Sequence, residues 1–416
     1  MTQIDGNAGT REPPRRLGAE RGNAGPLEDL LVVDLTRALA GPFCTLMLSD
    51  FGARVIKVET PDGGDDTRGW GPPFLGKESA YFLSVNRNKE SLALNLKDAR
   101  GVTILRRLLA RADVLVENYR PGTMDRFGLG YQAMHTEFRR LVYVSISGFG
   151  QDGPFRERTA YDLILQGLGG LMGITGEEGG PPVKVGVAIG DICAGMYAAF
   201  GVLAALRVRE RTGHGQLVDA ALLDGQISWL TYNAGIYFAT GDEPGRLGSA
   251  HPTIVPYQAF RTKDGFINVA VGSEAIWRRF CEIVDPALAE DAQYATNRDR
   301  VAHRQVLVGH LQRIFEARPT SAWAKALDEA GVPNGPILSL AEVFAHPQVR
   351  HRRMLAEMNH PTAGRIKQTG LPIKLSDTPG RLRTPPPTLG QHTDAILREL
   401  GISDADIKEL RREKVI

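Results

Sequence analysis

Three cysteines in 416 residues, Cys44, Cys193 and Cys281, are odd in number and far apart, and no Cys-x-x-Cys pair occurs. That scarcity excludes a disulfide framework and predicts reduced thiols in a cytoplasmic protein. Excess charge is also lacking. A formal net charge of +2 sets up no field that would draw nucleic acid or an anionic membrane. No apolar run reaches the length of a membrane span without interruption, so no membrane partner is expected. The chain has no Gly-x-x-x-x-Gly-Lys-Ser/Thr loop, and the glycines at 167, 169 and 170 fail the dinucleotide fingerprint because Met172 stands at its last position. There is no Gly-x-Ser-x-Gly elbow of a serine hydrolase. His303 and His310, and likewise His346 and His351, lack a third ligand at zinc-type spacing, so no metal is expected.

What is present describes an ordinary globular chain, with 42% hydrophobic and 24% charged residues. Its length predicts two domains or one large discontinuous one. Residues 1–26 are rich in Gly, Arg, Pro and Asn, without an apolar core. Asp5, Glu12 and Glu20 set them apart from acid-poor transit peptides, so they read as a disordered tail. Short β-type runs at Leu30–Leu35, Arg54–Glu59, Asp113–Glu117, Leu141–Ser147 and Gln216–Ala221 alternate with helical patterns at Pro42–Phe51, Gly101–Ala112 and Ile192–Arg211. Such alternation predicts an α/β fold with a mostly parallel sheet. In these sheets ligands bind beyond the carboxyl ends of the strands. Arg37, Glu59 to Thr60, Asn118 to Tyr119 and Gly148 fall there. From about Leu223 to Arg318 the texture changes, with aromatics, a Gly/Arg/His loop at 241–252 and strands near 254–260 and 266–271, as in a second domain. A last helical pattern runs from Thr393 to Leu400.

Asp191 carries the most chemistry. An apolar run ends at Gly190, one carboxylate follows, and a long helix rich in small residues begins. The positive end of that helix is expected to keep the acid ionised and able to act as a nucleophile without a partner base. The alternative is a plain N-cap. Glycine is dense from residue 160 to 190, which fits flexible turns or close backbone approach to a bulky ligand. Arg37, Arg68, Arg87, Lys89, Lys97, Arg120 and Arg126 lie near the proposed crevice. They read singly as solvated charges and together as a cradle for the phosphates of a large anion.

Taken together, several motifs in order resemble the family III CoA-transferases, which include formyl-CoA transferase, carnitine and bile-acid CoA-transferases and the α-methylacyl-CoA racemases. They are DLTRALAGP from Asp34 to Pro42, GARVIKVE from Gly52 to Glu59, VENYRPG from Val116 to Gly122, Ala160-Tyr-Asp162, VAIGD from Val187 to Asp191, GHGQ from Gly213 to Gln216 and LGQHT from Leu389 to Thr393. The resemblance runs from about residue 27 to the C-terminus. It implies an α/β fold with a Rossmann-like large domain, a smaller inserted domain and an interlocked homodimer. On this chain the large domain would comprise 27–222 and a linker and returning part at 326–416, with the small domain at 223–325. It further implies Asp191 as the catalytic aspartate, Asp162 as an acid close to it, and CoA contacts from Arg37, Ala38, Ala40, Leu94, Lys97, Asn118, Tyr119 and Arg126. Where formyl-CoA transferase has His and Gln this chain has Arg37 and Leu39, and it lacks a run of four glycines, which speaks against oxalate and formate as substrates. In the racemase branch a His–Asp pair moves the proton; the histidine position is Tyr161 here, whose ordinary pKa of about 10 suits that task poorly.

The segment from Gly248 to Gly265 (GSAHPTIVPYQAFRTKDG) resembles the succinyl-CoA:glutarate subgroup, as do Glu357–Thr362 and Pro385–His392. In the family the first of these loops closes over the active site. His251 on it is a candidate contact for the far carboxylate of a dicarboxylic acid, and equally a structural histidine that orders the loop. The function expected is CoA transfer from succinyl-CoA to a dicarboxylic acid such as glutarate. The alternatives are 2-methylacyl-CoA racemisation or epimerisation, and transfer to itaconate, citramalate, carnitine or oxalate. The partners expected are an acyl-CoA, a free carboxylic acid and a second copy of the chain. No cofactor is expected beyond coenzyme A, which is itself substrate.

Overall fold

A computed structural model describes residues 25–416; all but the last two residues of the expected tail lie outside the described residues. Six parallel strands form the central sheet: β1 (Leu31–Asp34), β2 (Arg54–Glu59), β3 (Lys89–Ala93), β4 (Val114–Glu117), β5 (Val142–Ser147) and β6 (Leu217–Ala221). Their order is β3-β2-β1-β4-β5-β6, that of a doubly wound dinucleotide-binding sheet. The order reverses beside β1, so the loops after β1 and β4 open onto one crevice.

Successive side chains on a strand point to opposite faces, and both faces are covered. Leu31, Val33, Ile56 and Leu115 join α2 (Ala99–Leu109) and the C-terminal segment, through Ile396, Leu397, Ile407 and Leu410, in one core. Val32, Val55, Val114, Val116 and Val144 join α1 (Ala40–Asp50) and α4 (Ile189–Thr212) in the other. Helix α4 is long and apolar enough to cross a membrane by length and composition, contrary to the expectation of no such stretch, but half of its most apolar window is buried inside the protein. Gly195 permits this packing, because a Cβ there would lie 2.5 Å from the Ala40 carbonyl oxygen on α1.

Strand β3 was not expected from sequence. Its Lys89 is fully buried, with Nζ donating to Pro42 O at 3.0 Å and Asn86 Oδ1 at 2.9 Å, and 3.2 Å from Asp34 Oδ2. A hairpin of Leu355–His360 and Gly364–Thr369 was likewise not foreseen.

The chain divides into two compact units. Among the described residues the first comprises 25–169, 186–229 and 353–416, and the second 170–185 and 230–352. From sequence alone the boundaries are expected at 223 and 326, with no earlier segment in the second unit. That second unit contains an antiparallel sheet of Tyr257–Arg261, Phe266–Ala270 and Asn334–Pro336. Its core holds Phe260 stacked on Phe315 at 4.7 Å, with Trp277, Phe280 and Trp323 around them.

Candidate active site

Asp191 is the third residue of α4, whose N-cap is Ala188. It is therefore not a capping residue. Helix α3 (Asp162–Leu168) supplies the missing cap. Asp162 Oδ1 accepts the Gly190 N–H at 2.8 Å, and its Oδ2 accepts from the fully buried Gln166 Nε2 at 2.7 Å. This cap satisfies one of the amides that a helix start leaves unpaired. It also brings a second carboxylate up to Asp191. Burial first, and then the Asp162 charge, push Asp191 from 3.8 up to about 7. The expectation that the helix terminus alone keeps Asp191 ionised is thus corrected. Desolvation and a like charge outweigh the dipole, which is worth about 0.3–1 kcal/mol in ordinary settings. Near neutral pH the carboxylate is close to half ionised, a poise suited to bond making.

Tyr81, which carries no sequence motif, lies in the same field. Burial, followed by the Asp191, Asp65 and Asp162 carboxylates, pushes its phenol up to about 12, and its ring packs edge-on against Trp70 at 5.1 Å. Tyr161, the N-cap of α3, is 68% exposed.

A cavity of about 660 Å³ opens at the carboxyl ends of the strands, lined in part by Arg37, Leu94, Lys97 and Tyr119. Four of the eight expected CoA contacts therefore share one cavity. The others stand around it. Asn118 clamps the backbone of Arg37 from both sides, accepting from its N–H at 2.9 Å and donating to its carbonyl at 2.8 Å. Ala38 adopts a left-handed φ of 62° and donates its N–H to Asp65 Oδ1 at 3.3 Å. Ala40 is buried in α1. Arg126 is exposed and donates to Thr123, itself a lining residue, at 3.0 Å.

Under the loop that carries Arg37 and Ala38 lies a buried network of charges. Lys57 Nζ is 2.8 Å from Asp65 Oδ2 and donates to the Thr36 carbonyl at 2.7 Å. Burial alone would raise Asp34, but Lys89, Lys57 and the hydroxyls of Thr36 and Thr45 hold it down at about 2. Burial lowers Lys89 to about 8. Three of the basic residues assigned to a phosphate cradle are used internally: Arg68 on Glu59 at 2.7 Å, Arg87 on Asp50 at 2.6 Å, and Lys89 on Asp34. Arg37 and Lys97 remain as lining cations, beside Asp62 and Asp66.

His251 belongs to the second unit. It stacks on Tyr232 at 5.1 Å and packs against Tyr257 at 5.3 Å, and its Nδ1 accepts the Thr253 N–H at 3.2 Å. Burial and Arg304 lower its pKa, which favours the neutral ring. Arg304 in turn donates to the His251 and Pro252 carbonyls, each at 2.8 Å. Part of the glycine-rich stretch lies in this unit, where Gly176 O accepts the Gly248 N–H at 2.8 Å and Arg246 donates to Gly180 O at 2.7 Å. Among the described residues no group of three or more His, Cys, Asp or Glu side chains is arranged to hold a metal ion.

The doubly wound sheet, the cavity at its carboxyl edge and the acid pair at the start of α4 define an α/β enzyme fold with a ligand-sized cleft. The match of residues 27–393 to the model of CoA-transferase family III narrows this, and the chain belongs to that family. It is 46% identical to succinyl-CoA:glutarate CoA-transferase of Homo sapiens over 96% of this chain and 91% of that one. It is 40% identical to acetyl-CoA:oxalate CoA-transferase of Acetobacter aceti over 92% and 97%. A CaiB/BaiF family crystal structure from Brucella suis superposes with a TM-score of 0.81, at 40% identity, over 90% of this chain and 99% of that one. The protein is an enzyme that transfers CoA.

Proposed function

We propose that the enzyme moves CoA from succinyl-CoA to a dicarboxylic acid of the glutarate type, with Asp191 as the covalent carrier. The observation that supports this most is the half-buried Asp191 carboxylate, poised near pH 7 beside Asp162. In this reading an Asp191 oxygen attacks the thioester carbonyl, giving a mixed anhydride and CoA thiolate. The thiolate attacks the Asp191 carbonyl carbon, releasing succinate and leaving an aspartyl-CoA thioester. The acceptor carboxylate attacks that thioester, and the thiolate finally attacks the acceptor acyl carbon, freeing Asp191. Covalent relay divides one hard exchange into easier ones, and burial protects the anhydrides from water. No cofactor beyond CoA enters this scheme.

The glutarate assignment draws on the likeness to the human enzyme. The likeness to the acetyl-CoA:oxalate enzyme makes oxalate the acid to test against it. Arg37, Lys97, Tyr119 and Leu94 would hold CoA in the cavity, Asn118, Ala38 and Ala40 would shape the loop, and Arg126 would add charge at its rim. Tyr161 would contact the acyl portion. We further propose the interlocked homodimer. On α4, Met196, Phe200 and Leu203 share an outward face at helical spacing and are 45%, 72% and 45% exposed. Mass spectrometry of the thioesters formed from succinyl-CoA with glutarate, itaconate, citramalate, carnitine and oxalate tests the function. Glutaryl-CoA with equimolar succinate is expected. No new thioester from any acid, with deuterium uptake at an acyl α-carbon, would instead establish the racemase reading.

A further inference from the structure

Gln226 lies on α5 (Leu222–Ser228), is 0% exposed, and finds no hydrogen-bond partner among the described residues for either atom of its side-chain amide. Buried amides are nearly always paired, and an unpaired one is costly to keep. Its position gives that cost a purpose. A Cβ on Gly190 would lie 2.4 Å from Gln226 Nε2 and 3.0 Å from Asp162 Oδ1, so the amide and the carboxylate both press on the residue that precedes the nucleophile. Only glycine leaves room for them there.

We propose that Gln226 is a positioning residue for the acid pair, its Nε2 taking over Asp162 Oδ1 when the Gly190 N–H turns to an acyl oxygen carried on Asp191. Asp162 now spends Oδ1 on Gly190 and Oδ2 on Gln166. The Gly190 amide belongs to the first turn of α4 and adjoins Asp191, so it is well placed to stabilise oxygen bonded at that residue. Once it moves, Asp162 Oδ1, in a half-buried side chain, would lose its donor unless a second one stood by. Gln226 is the unpaired donor at that point. The inference rests on Asp191 being the carrier.

The test compares two near-isosteres in transfer from succinyl-CoA to glutarate. Gln226→Met removes the donor at nearly constant length, and Gln226→Glu replaces it with an acceptor that repels Asp162. The expected result for Gln226→Met is a kcat lower by about tenfold or more, the size of one hydrogen bond to a charged group. Its succinyl-CoA dissociation constant should stay within about twofold of wild type and its melting temperature should not fall. Gln226→Glu should be slower still, which a purely packing role would not produce. A Gln226→Met enzyme with wild-type kcat, or a Gln226→Glu enzyme as fast as Gln226→Met, would overturn the role of Gln226 alone. A wild-type enzyme that makes no thioester would overturn the carrier reading and this role with it.

Discussion

Replacing Asp191 with asparagine should stabilise the enzyme above pH 7. The folded protein raises the Asp191 pKa from 3.8 to about 7, so it holds the proton more tightly than the unfolded chain does. Stability is therefore lost as pH rises from about 4 to about 7, because the unfolded chain ionises freely while the folded site resists. At about 1.4 kcal/mol per tenfold change in proton affinity, the full cost is on the order of 4 kcal/mol. Relaxation and residual solvent contact reduce this to roughly 2–4 kcal/mol. Asparagine carries no charge at any pH and avoids the cost. Melting curves of wild type and Asp191→Asn between pH 5 and pH 8.5 check the reasoning. The variant should melt higher by a few degrees at the alkaline end, by about 2 °C or more per kcal/mol at most domain sizes. The gap should narrow toward pH 5. A variant that melts at or below wild type at pH 8.5 would refute the claim that burial and Asp162 burden this carboxylate.

Transfer itself should fall as pH drops through about 7, since the attacking Asp191 must be ionised; a pH–rate profile flat from 5 to 8 would contradict the poise. Asp191→Ala should bind acyl-CoA with an unchanged dissociation constant and lose transfer, as measured by calorimetry and thioester analysis. Lys57→Met leaves Asp65 and Asp34 buried without their shared cation. It should cost about 3–5 kcal/mol in denaturant unfolding and weaken CoA binding through the loosened Arg37–Ala38 loop. Gly195→Ala forces its Cβ onto the Ala40 carbonyl and should cost about 1–3 kcal/mol of stability.

The apolar strands were legible because both faces of a parallel sheet are covered and its runs are nearly continuous, as in Val114–Glu117 and Val142–Ser147. Lys89–Ala93 was not, since Lys89 and Glu90 break the pattern, and the carboxylate that lets Lys89 be buried lies 55 residues away at Asp34. The same distance effect hid the partner of Arg87, which looked like a free cation in sequence but meets Asp50 from 37 residues away. Asp191 stood out locally through Gly190 and the long helix. Its proton affinity did not, because Asp162 reaches Gly190 from 28 residues upstream. Gln226 gave no signal at all; a glutamine on a short helix looks like a surface residue until its burial is seen.

The central claim is that Asp191 becomes covalently acylated, and the direct measurement is peptide mass mapping after trapping. The enzyme is mixed with succinyl-CoA, quenched with hydroxylamine and digested. Attack of hydroxylamine on an activated Asp191 carbonyl displaces the CoA thiolate or succinate and leaves an aspartyl hydroxamate. The account predicts that adduct on the peptide containing Asp191, dependent on succinyl-CoA and absent from Asp191→Ala. An unmodified Asp191 peptide from an enzyme that is transferring CoA would contradict it.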